Sequence, residues 1–449
     1  MRWSIAQSRL LIAGLVCLVL PYAQAQAPKR SPKMIYVDNG SLRLGIDLNM
    51  GGSITYLAPA DHPERNVINS ADLGRQIQLS FYSGPVPYQP AGSQMSEAWK
   101  GLGWNPIQTG DYYGNPSKII ESRVSKNRLY VKCIPMHWPL RNVPGECQFE
   151  VWLELQGNTV QAHCRLTNKR NDLTQYSARG QELPAVYVNA PYHHLVTYDG
   201  PRPWSNDKTT EIRNRLDKEN HWATWLATEN WAAQVDDSDW GLGIWNPDTS
   251  RFSGGFCGEP GVGGPSDSPT GYIAPNRTEI LDHDIVYDFR YVLILGNLPQ
   301  IREYAYRHAD RTHLPSWTFQ NTRDGWSYEN ATDAGWPVRR GLEVKLGEGI
   351  NRLVSPEFAA PTEDIRAVEV TASCTARLEN LTLDWASSNT PLEHRMTIPW
   401  IDAAGPHTYR FPLRGTLPAK DVLTQLRLEV LSHQADAAVL HIAGIRLVK

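Results

Sequence analysis

The stretch CQFEVWLELQGNTVQAHCRLTN, from Cys147 to Asn168, alternates apolar and polar residues on both sides of a Gly157-Asn158 pair. Phe149, Val151, Leu153 and Leu155 fall on one face of the first half, with Glu150, Trp152 and Glu154 on the other. In the second half Val160, Ala162, Cys164 and Leu166 form the apolar set, opposite Gln161, His163 and Arg165. Side chains alternate across a strand with period two, so both halves read as strands with one buried and one wet face. Joined as a hairpin, they place carboxylates, an imidazole, a guanidinium and an indole on one sheet surface. The plain alternative for that surface is an ordinary solvated face, which is the default for antiparallel sheets.

Working outward, the same period recurs in RLYVKCI before it and in LPAVYVNA, WAAQV, GLGIWN and YDFRYVLILG after it. Turn residues separate these runs, and Asn39-Gly40 in MIYVDNGSLRLGID marks a tight hairpin. No long helical period interrupts them before Asn297. There Asn297 is placed to cap a helix, Pro299 suits its first turn, and LPQIREYAYRHAD can run as a short helix. Strand patterns resume after Trp317, from GLEVKLG to AVLHIAGIRLV. The reading is all-β: a large antiparallel sandwich over 34–296, a helical linker over 297–316, and a jelly-roll-sized sandwich over 317–449.

At the N-terminus, Arg2 and Arg9 lead into an apolar run from Leu10 to Leu20, followed by AQAQA. This reads as a cleaved signal over 1–25, too short to span a bilayer, and implies a secreted or periplasmic protein without a membrane span. A length of 449 residues exceeds one ordinary core. The net charge of −3 and the lack of a basic stripe argue against a nucleic-acid partner. Five cysteines follow the signal, Cys133, Cys147, Cys164, Cys257 and Cys374, and a bridge between Cys133 and Cys147 fits a hairpin. Neither a cofactor motif nor metal-ligand spacing is present, so no cofactor and no metal are expected, and Asp236-Asp237-Ser238-Asp239 reads as a solvated turn.

Trp is unusually frequent at 16 residues, and the run from Gly74 to Asn115 mixes aromatics with amides and charges. Side chains that both stack and hydrogen-bond suit a polar, ring-shaped ligand, and a sugar is the expected partner. Arg75 and Gln78, read at the start of a strand, and Trp104 and Tyr112 are the candidate contacts, with Asp111 as a candidate carboxylate. A second cluster, QELPAVYVNAPYHHLVTYDG from Gln181 to Gly200, supplies Glu182, His193 and His194 as candidate acid–base groups. Tyr187 and Tyr192, with His163 from the hairpin, complete the set of candidate substrate contacts.

NGSLRLGIDLNMGGSITYL with the following Gly74-Arg75, and WGLGIWNP from Trp240 to Pro247, resemble segments of galactose-mutarotase-like supersandwich domains. WTFQNTRDGW, LVSPEF and the final IAGIRLV resemble a galactose-binding-like carbohydrate-binding module. The resemblance implies an enzyme that cleaves a poly- or oligosaccharide, as a glycoside hydrolase or a polysaccharide lyase, with a C-terminal glycan-binding module. It equally accommodates a non-catalytic glycan-binding protein or a sugar epimerase, because one fold hosts several functions. Mutarotase-like enzymes pair an imidazole acid with a carboxylate base. That role falls here on His193 or His194 with Glu182.

Overall fold

The computed structural model describes residues 31–213, 222–282, 284–402, 405–433 and 438–449, residue 393 by its backbone alone. The signal segment and His283 lie outside these residues. Cys147–Gln156 and Thr159–Asn168 pair antiparallel in the register that the alternation demands, with Val151 opposite Cys164 and Leu153 opposite Ala162. Every second residue of both strands is buried.

This hairpin belongs to a nine-stranded antiparallel sheet that runs in order through Thr210–Glu211, His194–Thr197, Trp231–Val235, Trp240–Trp245, Val286–Asn297, Thr159–Asn168, Cys147–Gln156, Arg128–Ile134 and Lys118–Ser125. A ten-stranded sheet faces it, with Ile77–Ser80, Arg179–Asn189, Thr270–Glu279 and Arg251–Cys257 side by side at its centre. The core between them takes Leu79, Phe81, Val186 and Ile273 from one sheet and Phe149, Val151, Leu242 and Leu293 from the other. Two six-stranded sheets built from residues 316–448 enclose a separate core around Trp326, Val370, Leu383, Leu428 and Ile442. The architecture is therefore all-β, two sandwiches of antiparallel sheets. No helix among the described residues is long and apolar enough to cross a membrane.

The helix Leu298–His308 starts as its sequence dictates. The Asn297 side chain accepts from the Gln300 backbone N–H, and the Gln300 side chain returns a bond to the Asn297 backbone. It is not a free linker, however. Ile301 and Ala305 pack against Val196, Trp231, Trp245 and Val292 on the outer face of the nine-stranded sheet. A helix with an apolar stripe gains most by burying it, and the nearest apolar surface is this sheet. Only the segment after His308, with Arg311, Thr312 and His313 exposed, connects the two sandwiches.

The expected Cys133–Cys147 bridge does not form. Cys133 stands opposite Phe149 in the ladder, two residues from Cys147, and none of the five described cysteines forms a disulfide. Burial pushes the Cys133 thiol up to about 12, which makes it an unreactive core residue.

Candidate active site

The central strands of the ten-stranded sheet turn one set of side chains toward the core and the other outward. On the first of them Ile77, Leu79 and Phe81 enter the core, which leaves Gln78, Ser80 and Tyr82 on the outer face. On Arg179–Asn189 the register shifts between Glu182 and Val186, where Leu183 and Pro184 interrupt the ladder. Such a bulge re-aims side chains, and Pro184 suits it because it has no N–H to donate. The outcome is a carboxyl group set between two phenols. Tyr272 donates to Glu182 Oε1 at 2.6 Å and Tyr82 donates to Oε2 at 3.1 Å.

The supports of this group are equally specific. Ser80 Oγ donates to the Tyr82 hydroxyl at 2.9 Å. The Gln181 amide bonds both the N–H and the C=O of Tyr82, each at 2.8 Å, so the backbone that carries Tyr82 is clamped to the strand that carries Glu182. Tyr187 and Trp222 each lie 4.9 Å from the Tyr272 ring, so aromatic surface encloses the phenol. Beyond Tyr82, Trp138 packs against half-buried Trp99 and Tyr112.

Burial raises the Glu182 carboxyl to about 7, against the hydroxyl bonds from Tyr272, Tyr82 and Ser80 that favour its ionised form. Burial and the Glu182 charge push both phenols well above their usual range. The phenols therefore stay protonated near neutrality while Glu182 exchanges its proton there. A carboxyl in that condition can donate or accept a proton at physiological pH, which is the property a general acid–base needs.

Four residues named from the sequence thus share one face: Gln78, Glu182, Tyr187 and, through the aromatic contacts, Tyr112. Gln78 accepts from Thr109 Oγ1 at 2.7 Å and stands beside Ala185 in the ladder.

The others are placed elsewhere. Arg75 precedes the strand, which begins at Ile77, and its guanidinium is spent on Asp72 and on the carbonyls of Asp267 and Ser268. Asp111 accepts from the backbone N–H groups of Tyr113, Asn115 and Asn142, which makes it the brace of its loop. Trp104 is fully buried and donates to Glu146, so it offers no stacking face. Tyr192 is a core residue against Trp240. His163 stacks on Trp152 and bonds Asp288 on the outer face of the nine-stranded sheet, the ordinary solvated surface of the hairpin. His193 and His194 stand at the start of an outer strand of that same sheet, bonded to Asp237 and Glu211. Tyr82, Tyr272 and Trp222 were missed. Period two in QLSFY puts Tyr82 on the Gln78 face, a signal that was available.

Hollows in the surface lie beside the helix, lined by Trp240, Tyr304 and Arg307 or by Asn206, Arg302 and Tyr306, whereas Glu182 sits beneath its aromatic cover.

No protein-family model and no curated protein matches the chain. Among solved structures it is similar to a galactose mutarotase-like protein from Lactobacillus casei ATCC 334, with 12% identity over 58% of this chain and 99% of that one and a TM-score of 0.37. A putative aldose 1-epimerase from Klebsiella pneumoniae matches at 13% identity over 60% of this chain and 80% of its own, with a TM-score of 0.32. A Paenibacillus xanthan lyase matches at 8% identity over 94% of this chain and 52% of its own, also with a TM-score of 0.32.

Proposed function

We propose that this chain is an exported carbohydrate-active enzyme that cleaves a poly- or oligosaccharide on the outer face of the ten-stranded sheet, with Glu182 as its general acid. The observation that carries the reading is the Glu182 carboxyl itself, held at about 7 between the Tyr82 and Tyr272 hydroxyls and flanked by aromatic rings. A protonated carboxyl can give its proton to a leaving glycosidic oxygen, and Tyr112 and Trp99 provide a half-buried shelf on which a sugar ring can stack. In this reading the second sandwich, 317–449, binds glycan and holds the substrate near the first.

A second reading, a glycan-binding protein without turnover, is favoured by one fact: Glu182 is only 5% exposed and both of its oxygens are already bonded. One experiment separates the two. The purified protein is incubated with a panel of polysaccharides, and both new reducing ends and the absorbance of unsaturated products are followed. Reducing ends alone indicate hydrolysis, and unsaturated ends indicate elimination. Glu182→Gln should lower turnover by about a hundredfold or more, the usual loss with a general acid, and leave glycan binding in place. In the wild type, activity should fall as pH rises through about 7, where Glu182 loses its proton. Binding without products would favour the second reading, and unchanged turnover in Glu182→Gln would remove Glu182 from the chemistry.

A further inference from the structure

At the start of the strand His194–Thr197, two adjacent imidazoles turn toward a single carboxylate. Asp237 Oδ1 lies 3.4 Å from His193 Nε2 and 3.0 Å from His194 Nε2. The other nitrogen of each ring is already committed: His193 Nδ1 faces the Pro191 carbonyl at 3.1 Å, and His194 Nδ1 faces Glu211 Oε1 at 3.2 Å. A neutral imidazole has one N–H, and in the tautomer that places it on Nδ1 each ring donates to the oxygen it already faces. Both Nε2 atoms then present lone pairs to a carboxylate oxygen, and these three donor atoms lie within 4.8 Å of one another. Donor atoms gathered this closely can all bind one cation placed among them.

Asp237 has no Lys or Arg partner among the described residues. Among the described residues its ion pairs are with the two imidazoles only, while Arg65 pairs with the neighbouring Asp236. From this geometry we infer a divalent transition-metal site of the zinc type, with His193 Nε2, His194 Nε2 and an Asp237 carboxylate oxygen as ligands and water completing the shell. Nitrogen and oxygen ligands at about 2.0–2.2 Å in a tetrahedron stand about 3.4 Å apart, close to both observed separations. The bonds from each Nδ1 to the Pro191 carbonyl and to Glu211 are the outer contacts that orient metal-binding imidazoles. Side-chain exposures of 19% for His193, 36% for His194 and 86% for Asp237 leave the ion a path from solvent. Two imidazoles favour zinc over calcium or magnesium, which take oxygen ligands. The ion would clasp the turn between Trp231–Val235 and Trp240–Trp245 to the neighbouring strand. The site is independent of Glu182 and of what the protein does to a glycan.

The test uses the full chain, stripped of metal by a chelator and titrated with Zn²⁺ against a chromophoric competitor. One equivalent should bind, and Asp237→Asn and His194→Ala should each weaken it by about tenfold or more. His433→Ala, on the other sandwich, should leave binding unchanged. A stoichiometric amount of Zn²⁺ should raise the thermal midpoint of the wild type and not that of Asp237→Asn, because only an ion held by the native state stabilises it. Asp237 is 86% exposed, so its substitution should leave the fold intact, which circular dichroism checks. An absence of Zn²⁺ binding would overturn the inference and leave a proton shared between imidazole and carboxylate as the neutralising charge. Equal affinity in wild type, Asp237→Asn and His194→Ala would overturn it as well, and would assign the metal to other histidines.

Discussion

Glu182 links the stability of the fold to pH, and the sign follows from its surroundings. Its carboxyl stands at about 7 in the folded chain against an ordinary 4.5, so between these values the native state holds a proton that the unfolded chain has released. Its favourable contribution is complete at low pH and is lost as pH rises from about 4.5 through 7. Integrated between about pH 5 and pH 8, the loss is about 2–3 kcal/mol. Glu182→Gln keeps the shape and never ionises. The stability of the variant relative to wild type, read from urea midpoints, should therefore increase by that amount across the window, whereas parallel curves would show that Glu182 titrates as an ordinary carboxylate. Glu146 has the opposite sign. Burial pushes its carboxyl up, but bonds from His137 and Tyr88 outweigh this and hold it at about 2, so its contribution is present above about 4.5 and is lost as pH falls toward 2. At this scale the sequence was only half legible. Glu182 and Tyr187 announce themselves in one strand, but the phenols that bond the carboxyl and help to bury it are Tyr82 and Tyr272, 100 and 90 residues away. No local pattern encodes such a pairing. The two histidines show the same limit: their residue type suggested proton transfer, but their partners Asp237 and Glu211 lie 43 and 17 residues from His194.

Strands and the helix were more legible, because their signals are local. Alternation from Cys147 to Asn168 fixed both the hairpin and which residues face the core, since a slip of one residue would expose every apolar side chain. The capping box at Asn297 fixed where the helix begins. What the sequence withheld was the surface on which the helix lies, where a buried ion pair joins the apolar contacts of Ile301 and Ala305. Glu229, with no exposed side chain, receives Arg302 through both oxygens at 2.9 Å, and also Trp231 Nε1 at 2.9 Å and the Tyr306 hydroxyl at 2.8 Å. Arg302→Met removes the only counter-charge that these bonds bring and leaves a buried carboxylate, so it should destabilise the protein by about 3–5 kcal/mol. Glu229→Gln in the Arg302→Met background should recover part of that loss, because the charge is then gone while the acceptor oxygen for Trp231 or Tyr306 remains. Equal midpoints for wild type and Arg302→Met in chemical denaturation would show that the helix is held by Ile301 and Ala305 alone.

Across the whole molecule, the two sandwiches meet through ion pairs as well as through apolar contacts such as that of Ile280 with the second core. Arg323, its side chain 3% exposed, bonds the Ile280 carbonyl at 3.1 Å, Asp282 at 3.4 Å and Asp333 at 3.2 Å, and Arg251 reaches Glu357 at 2.6 Å. Gly325 shows how closely the surfaces approach. Its φ of +78° belongs to the left-handed region, and a Cβ there would stand 2.2 Å from Arg277 Nη2. Contacts of this kind are demanding in geometry but replaceable in sequence, which is why the change in strand pattern near residue 316 shows in the sequence and the interface does not. They also make the joint testable apart from the cores. Trypsin should cut the native chain at Arg307 or Arg311, beside the exposed connection, and the two fragments should stay together on size exclusion because the ion pairs outlast the peptide bond. Arg323→Met removes the guanidinium that Asp282 and Asp333 share in this buried joint, a cost of about 3–5 kcal/mol that includes the link between the sandwiches. After the same cut, fragments of the variant should separate, while each retains the circular dichroism of a folded β domain. Separation of the wild-type fragments, or co-elution of the variant ones, would mean that the sandwiches are joined by something other than Arg323.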